Sequence, residues 1–243
     1  MLIMKYKLRI QKNTLRLGLK NLAMNTNLGL NLFRFVRSKF SGVFVSKDTN
    51  LLIDGFPRSG QTYLYSIVHN SLKHPIKIAR HRHEPLQISL AVSLKIPVII
   101  IIRNPIDSIA SFITREKVSY RYAIHLYKNY YNHLHLYSRC LNFLEFERFI
   151  KDPIKSILRF KYILPLRHNL EQESNEIIEN AKRYVEELEK LDSEGEVRAT
   201  HVALPSQGRQ NHLREVKKIL SINHQKEIHK IEKIYNDLTN FTR

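Results

Sequence analysis

The residues most able to do chemistry lie in the run Gly55-Phe56-Pro57-Arg58-Ser59-Gly60-Gln61-Thr62. The positions of Gly55, Gly60 and Thr62 match a phosphate loop, whose backbone amides cradle phosphate oxygens while a lysine grips the β- and γ-phosphates. Gln61 stands where that lysine would be. The loop keeps the amide cradle and the hydroxyls of Ser59 and Thr62, and its positive charge sits at Arg58 instead. A second cation, Arg103, closes an isoleucine run, and Ser111 follows it two helical turns later. A magnesium-dependent NTPase would place an aspartate there. Two cationic sites on neighbouring strands suit a ligand with two separated anionic ends.

Proton transfer needs a group that titrates near neutrality, which favours histidine. Twelve histidines are present, so position must select among them. His81 and His83 follow the second strand, at the sheet edge that carries the loop, and Glu84 beside them is a third candidate base. The histidines of the middle helix, His125, His133 and His135, do not share one helical face, so no metal site is expected.

These groups need a scaffold that gathers loops at one edge. Leu51 to Asp54 reads as a strand, Gln61 to Leu72 as a helix, and Ile76 to Ala79 as a second strand followed by a helix ending near Leu94. Pro97 to Ile102 is a continuous apolar run of the kind buried on both faces of a parallel sheet. Asn104 can then cap a helix that Pro105 begins. A long helix over Ser119 to Cys140 and a strand over Asn142 to Phe146 follow. The remainder reads as helical, with an acidic helix over Asn175 to Leu191 and a loop over Ser193 to Gly208. Strands alternating with helices predict an α/β fold: three layers, a doubly wound and mainly parallel sheet with a phosphate-loop-like nucleotide site, and a helical carboxyl-terminal part.

Gly-Phe-Pro-Arg-Ser-Gly-Gln-Thr at 55–62 and Ile-Arg-Asn-Pro-Ile-Asp-Ser-Ile-Ala-Ser at 102–111 resemble the two nucleotide motifs of the sulfotransferases. These enzymes use 3'-phosphoadenosine 5'-phosphosulfate (PAPS) as cosubstrate. The resemblance implies that Pro57, Arg58, Ser59, Gly60, Gln61 and Thr62 hold the 5'-phosphosulfate, and that Arg103 and Ser111 hold the 3'-phosphate. It also implies a base at His83, because His83-Glu84-Pro85 is similar to the family's His-x-Pro, with His81 in that place under a variant alignment. Arg58 would stabilise the leaving phosphate. Phe146 stands where the family has a tyrosine, near adenine or in the core, and Gly208-Arg209 resembles the basic loop over the 3'-phosphate. Gln61 departs from the threonine or lysine frequent in the family and adds no charge. Sulfuryl transfer to a hydroxyl or amine, without a metal, is the activity implied.

At 243 residues with a net charge of +18, the chain suits a single domain with a field that attracts polyanions. Residues 1–47 carry no acid, whereas ten acids fall between Glu171 and Glu196. Two units are expected: a basic segment, 1–47, with an amphipathic helix over Leu28 to Phe40 lying on the body or on a membrane surface, and one domain over 48–243. The middle-helix tyrosines, Tyr120, Tyr122, Tyr127, Tyr130, Tyr131 and Tyr137, belong to the core or to an acceptor cleft. Cys140 is the lone cysteine and no apolar run is long enough to span a bilayer, so a cytoplasmic protein with peripheral membrane contact is expected. Among polyanions, an acidic glycan acceptor is preferred and a nucleic-acid partner is not expected. Two other readings stay open, a noncatalytic nucleotide or polyanion binder and a nucleotide kinase-like phosphotransferase.

Overall fold

The computed structural model describes residues 2–24, 26, 44–80, 83–192 and 207–242. Four strands form one parallel sheet: β1 (Leu51–Gly55), β2 (Ile78–Arg80), β3 (Val98–Ile102) and β4 (Asn142–Glu145), in the spatial order β2-β1-β3-β4. The register sets Leu51 against Ile78, Leu52 against Val98 and Ile99 against Asn142. The described helices are α1 (Leu2–Met24), α2 (Gln61–Ser71), α3 (Pro85–Ser93), α4 (Pro105–Glu116) and α5 (Tyr120–His135). After them come α6 (Phe146–Lys151), α7 (Pro153–Leu158), α8 (Ser174–Asp192), α9 (Gln207–Asn223) and α10 (Gln225–Thr239).

Every residue of β1 and β3 is buried, which is why β3 reads as an unbroken apolar run and β1 as one broken only by Asp54 near its end. Leu51, Ile53, Ile99 and Ile101 face one layer with Leu64 and Ile67 of α2, Ile157 of α7 and Ile177 of α8. Leu52, Ile100 and Ile102 face the other, with Ile109 of α4, Tyr127 of α5, Leu220 of α9 and Ile231 of α10. Each such side chain contributes about 1.5–3 kcal/mol when fully buried, so the two cores hold the sheet between helical layers. The expected doubly wound, three-layer α/β architecture is what the chain adopts.

The chain leaves β1 for β2 on one side and then crosses to β3 on the other. That reversal opens a crevice beyond the carboxyl ends of β1 and β3, the usual ligand position in such sheets. Asn104 caps α4 by accepting from the Asp107 amide at 3.3 Å, with Pro105 at the start of the helix.

Several boundaries differ from the sequence reading. β2 starts at Ile78, because the Lys77 amide donates to the Asn50 side chain at 2.9 Å instead of joining the ladder. α5 ends at His135, and Ser138–Cys140 forms a separate 3-10 turn. Residues 159–173 are not helical. Pro165 interrupts them, Leu166 bridges to Leu72, and Phe160, Leu164 and Leu170 fill the core from successive turns. The helix expected over Leu28 to Phe40 lies outside the described residues, as does most of the loop expected over Ser193 to Gly208; α9 already begins at Gln207.

α1 packs on the α4–α5 corner. Asn13 donates to the Glu116 carbonyl at 2.8 Å, the Ser119 amide donates to the Thr14 hydroxyl at 3.0 Å, and Asn21 donates to the Tyr122 hydroxyl at 3.4 Å. No described helix is long and apolar enough to cross a membrane.

Candidate active site

The loop 55–60 turns the chain from β1 into α2 through two residues with left-handed backbones, Arg58 at φ 71° and Gly60 at φ 86°. Gly60 precedes α2 without a side-chain cap, so the helix presents its first amides and the positive end of its dipole to the crevice. Side chains are kept off both glycines by close neighbours. A Cβ on Gly55 would lie 2.4 Å from the Ile101 carbonyl oxygen, and one on Gly60 would lie 2.7 Å from the Phe146 ring.

The crevice opens into a cavity of about 1230 Å³ lined by Pro57, Arg58, Gly60, Gln61, Thr62 and His83. Arg103, Ser111 and Phe146 border the same space. The sequence motifs on β1 and β3 therefore meet in one place. Arg58 Nε donates to Ser111 Oγ at 3.2 Å, and Arg103 Nη1 donates to the Arg58 carbonyl at 2.8 Å. The Arg103 guanidinium lies 4.4 Å from the Phe146 ring centre, a cation–π contact, and its buried Nε has no hydrogen-bond partner among the described residues. Burial lowers the pKa of Arg103, while Asp107 and Glu147 nearby oppose the shift; the group stays cationic at neutral pH. Asp107 is itself paired with Lys217 of α9 at 2.5 Å.

Two loop side chains point elsewhere than the bare motif suggests. Ser59 is wholly buried and its hydroxyl has no hydrogen-bond partner among the described residues, which leaves its backbone to the loop. Gln61 is buried as well. Its amide nitrogen donates to the Gly55 carbonyl and, at 3.3 Å, to Asp54 Oδ1, which uses both of its hydrogens. Gln61 therefore offers the cavity its place at the helix start, while its side chain ties the end of β1 together.

Asp54 is the residue whose role the sequence did not reveal. Its Oδ1 accepts from the Gly55 amide at 2.7 Å and lies 3.4 Å from His83 Nδ1. His83 Nδ1 is also 2.8 Å from the Gly55 carbonyl and 3.1 Å from the Gln61 amide nitrogen. The Gly55 carbonyl and Asp54 Oδ1 are both acceptors, so they favour the tautomer of the neutral ring that carries its hydrogen on Nδ1 and offers Nε2 as the acceptor nitrogen. His83 holds this pose with φ at 56°, a strained backbone of the sort that gathers at functional sites. The available signal was a carboxylate at the end of an otherwise apolar strand, immediately before the first glycine of the loop.

The floor beneath the loop is aromatic. Phe56 lies 5.0 Å from Tyr127 and 5.5 Å from Phe112, and Tyr127 lies 4.5 Å from Tyr131. Burial raises the pKa values of Tyr127, Tyr130 and Tyr131, with the Asp54 charge adding to the shift of Tyr130, so these hydroxyls stay protonated. Tyr130 and Tyr122 border the cavity, whereas Tyr127 and Tyr131 belong to the core.

Glu84 is buried at the start of α3, beside His83. His81 lies outside the described residues, and so does the side chain of Arg209, which falls in the first turn of α9.

No family model matches the chain, and no curated protein matches it. Among solved structures it is similar to the mouse sulfotransferase SULT7A1 complexed with PAP, with 14% sequence identity and a TM-score of 0.46 over 79% of this chain and 92% of that one.

Proposed function

We propose that this chain transfers a sulfuryl group from PAPS to an acceptor hydroxyl or amine, with carbohydrate as the preferred acceptor class. The observation that carries the reading is the convergence of Arg58, Ser111 and Arg103 at the mouth between β1 and β3, with His83 on the same cavity. A nucleotide with separate 5' and 3' anionic groups fits these residues. The open start of α2 and Arg58 receive the 5' end. Arg103, with a buried donor still unused, and Ser111 receive the 3'-phosphate, and the Phe146 ring offers a face to the base.

His83 accepts the acceptor's proton at Nε2 while the new oxygen–sulfur bond forms and the sulfur–oxygen bond to the 5'-phosphate breaks. Arg58 and the α2 amides take up the charge that develops on the leaving phosphate. The Gly55 carbonyl and Asp54 keep the His83 ring in its tautomer and pose, and the aromatic floor keeps water from beneath the loop.

Calorimetric titration of the full chain with 3'-phosphoadenosine 5'-phosphate and with ATP, in the absence of metal, tests the proposal. The bisphosphate is expected to bind at least about tenfold more tightly, the equivalent of one charge-assisted hydrogen bond. Equal affinities, or a preference for ATP, would sink it.

A further inference from the structure

Most of the outer face of α1 lies outside the site just described, with only Lys20 and Leu22, at its carboxyl-terminal end, reaching the cavity rim. Leu8, Leu15, Leu19 and Leu22 are 55%, 65%, 59% and 70% exposed. Their spacings of seven, four and three residues place all four on one stripe of the helix. The opposite face is occupied, with Asn13, Thr14 and Asn21 bonded to the α4–α5 corner and Leu17 packed against the core. Leu8, Leu15 and Leu19 therefore face away from the body, and Leu22 sits at the cavity rim.

Charge identifies the occupant. Arg9, Lys12, Arg16 and Lys20 are exposed along one flank of the stripe and Lys7 on the other, and no acidic residue occurs anywhere before Asp48. The acidic helix α8 packs against the other face of the sheet, with Ile177 and Ala181 in that second core. An apolar stripe between cationic flanks is the pattern of a helix that lies in the plane of a bilayer, its leucines at the headgroup–acyl boundary and its cations on anionic headgroups. A second copy of the chain fits less well: two such faces would oppose their cations with no acid in either helix to pair them, and Lys12 would interrupt the seam. We infer that α1 docks the protein on an anionic lipid surface. The same helix lines the cavity with Leu17 and Asn21, so docking holds the cavity mouth within about one helix diameter, ~10 Å, of the lipid. The inference does not depend on which nucleotide the cavity binds.

Co-sedimentation of the full chain with vesicles tests it, comparing pure phosphatidylcholine with phosphatidylcholine containing about a third phosphatidylserine. The protein is expected to bind the anionic vesicles at least about tenfold more tightly, and less so as salt rises. Leu15→Ser with Leu19→Ser should weaken that binding about tenfold with unchanged thermal melting, since both side chains are already in water. Lys12→Gln with Arg16→Gln should weaken it and flatten its salt dependence. Equal binding to both vesicle types would overturn the proposal, as would leucine variants that bind like the parent. Sedimentation of a dimer that the leucine variants dissolve, without vesicle binding, would assign the face to a second copy instead and overturn it too.

Discussion

Arg103 Nη1 donates a 2.8 Å hydrogen bond to the backbone carbonyl of Arg58, so the cation that ends β3 also holds the strained residue of the loop that follows β1. The two anion motifs are thereby one mechanical unit. A change at either end reaches the other through a single hydrogen bond.

Arg103→Ala should lower affinity for 3'-phosphoadenosine 5'-phosphate by about a hundredfold or more, because it removes a buried cation and releases Arg58 together. Arg103→Lys restores the charge but not the planar fork and should recover only part of that loss. Titration calorimetry separates the two variants. If Arg103→Ala bound like the parent, the 3'-phosphate would have to lie elsewhere.

His83→Ala should leave bisphosphate affinity within about threefold and reduce donor turnover by about 10²–10⁴, the range for losing a general base. Asp54→Asn should lower kcat about tenfold with little change in KM for the donor, since Asp54 acts through the His83 ring. The double variant decides whether that route is correct. Asp54→Asn should cost almost nothing further in a His83→Ala background, whereas additive losses would assign Asp54 a separate role.

Gly55→Ala and Gly60→Ala should fail differently. At Gly55 the new methyl meets the Ile101 backbone oxygen, which belongs to the central sheet and cannot move aside, so stability should fall by about 3 kcal/mol in urea titration. At Gly60 the obstacle is the Phe146 side chain, and the left-handed backbone adds about 1–2 kcal/mol of strain. Gly60→Ala should thus fold better than Gly55→Ala yet bind the nucleotide worse, because Phe146 must leave its place under Arg103. The reverse order of stabilities would contradict the packing described.

Acidification should weaken the fold through His133. Burial lowers its pKa below the usual 6.5, with a backbone hydrogen bond at Pro85 acting in the opposite direction, and its Nε2 lies 2.8 Å from Ser89 Oγ. The unfolded chain therefore takes up a proton that the folded ring resists. The stability this group contributes is complete above pH ~6.5 and is lost as pH falls toward its lower folded value. His133→Gln, which retains a polar partner for Ser89, should flatten the dependence of the urea midpoint on pH between about 5 and 7. An unchanged slope would move the effect to another histidine.

Much of this fold is legible in residue order because its causes are local. Leu51 to Ile53 and Pro97 to Ile102 are apolar on both faces, as central parallel strands must be, and Asn104-Pro105 marks a helix start with a cap and a fixed φ. Residues 159–173 misled the reading because their apolar side chains are spaced well enough for a helix. Their core contacts come instead from turns that Pro165 and the Leu166 bridge impose.

The site divides in the same way. Sequence determined that a phosphate loop without its lysine but with Arg58 follows the first strand, that Arg103 follows the third, and that a histidine follows the second, since each of these depends on neighbours within a few residues. Only the tertiary structure decided that Gln61 turns inward to Asp54 and Gly55, that Ser59 is buried, that His83 is seated on the end of β1, and that Phe146 lies beneath Arg103. Those directions are set by side chains that meet across the sheet from elements far apart in the chain, and the competition among them for Gly55 and Asp54 exists only once β1, β2 and β3 are packed together.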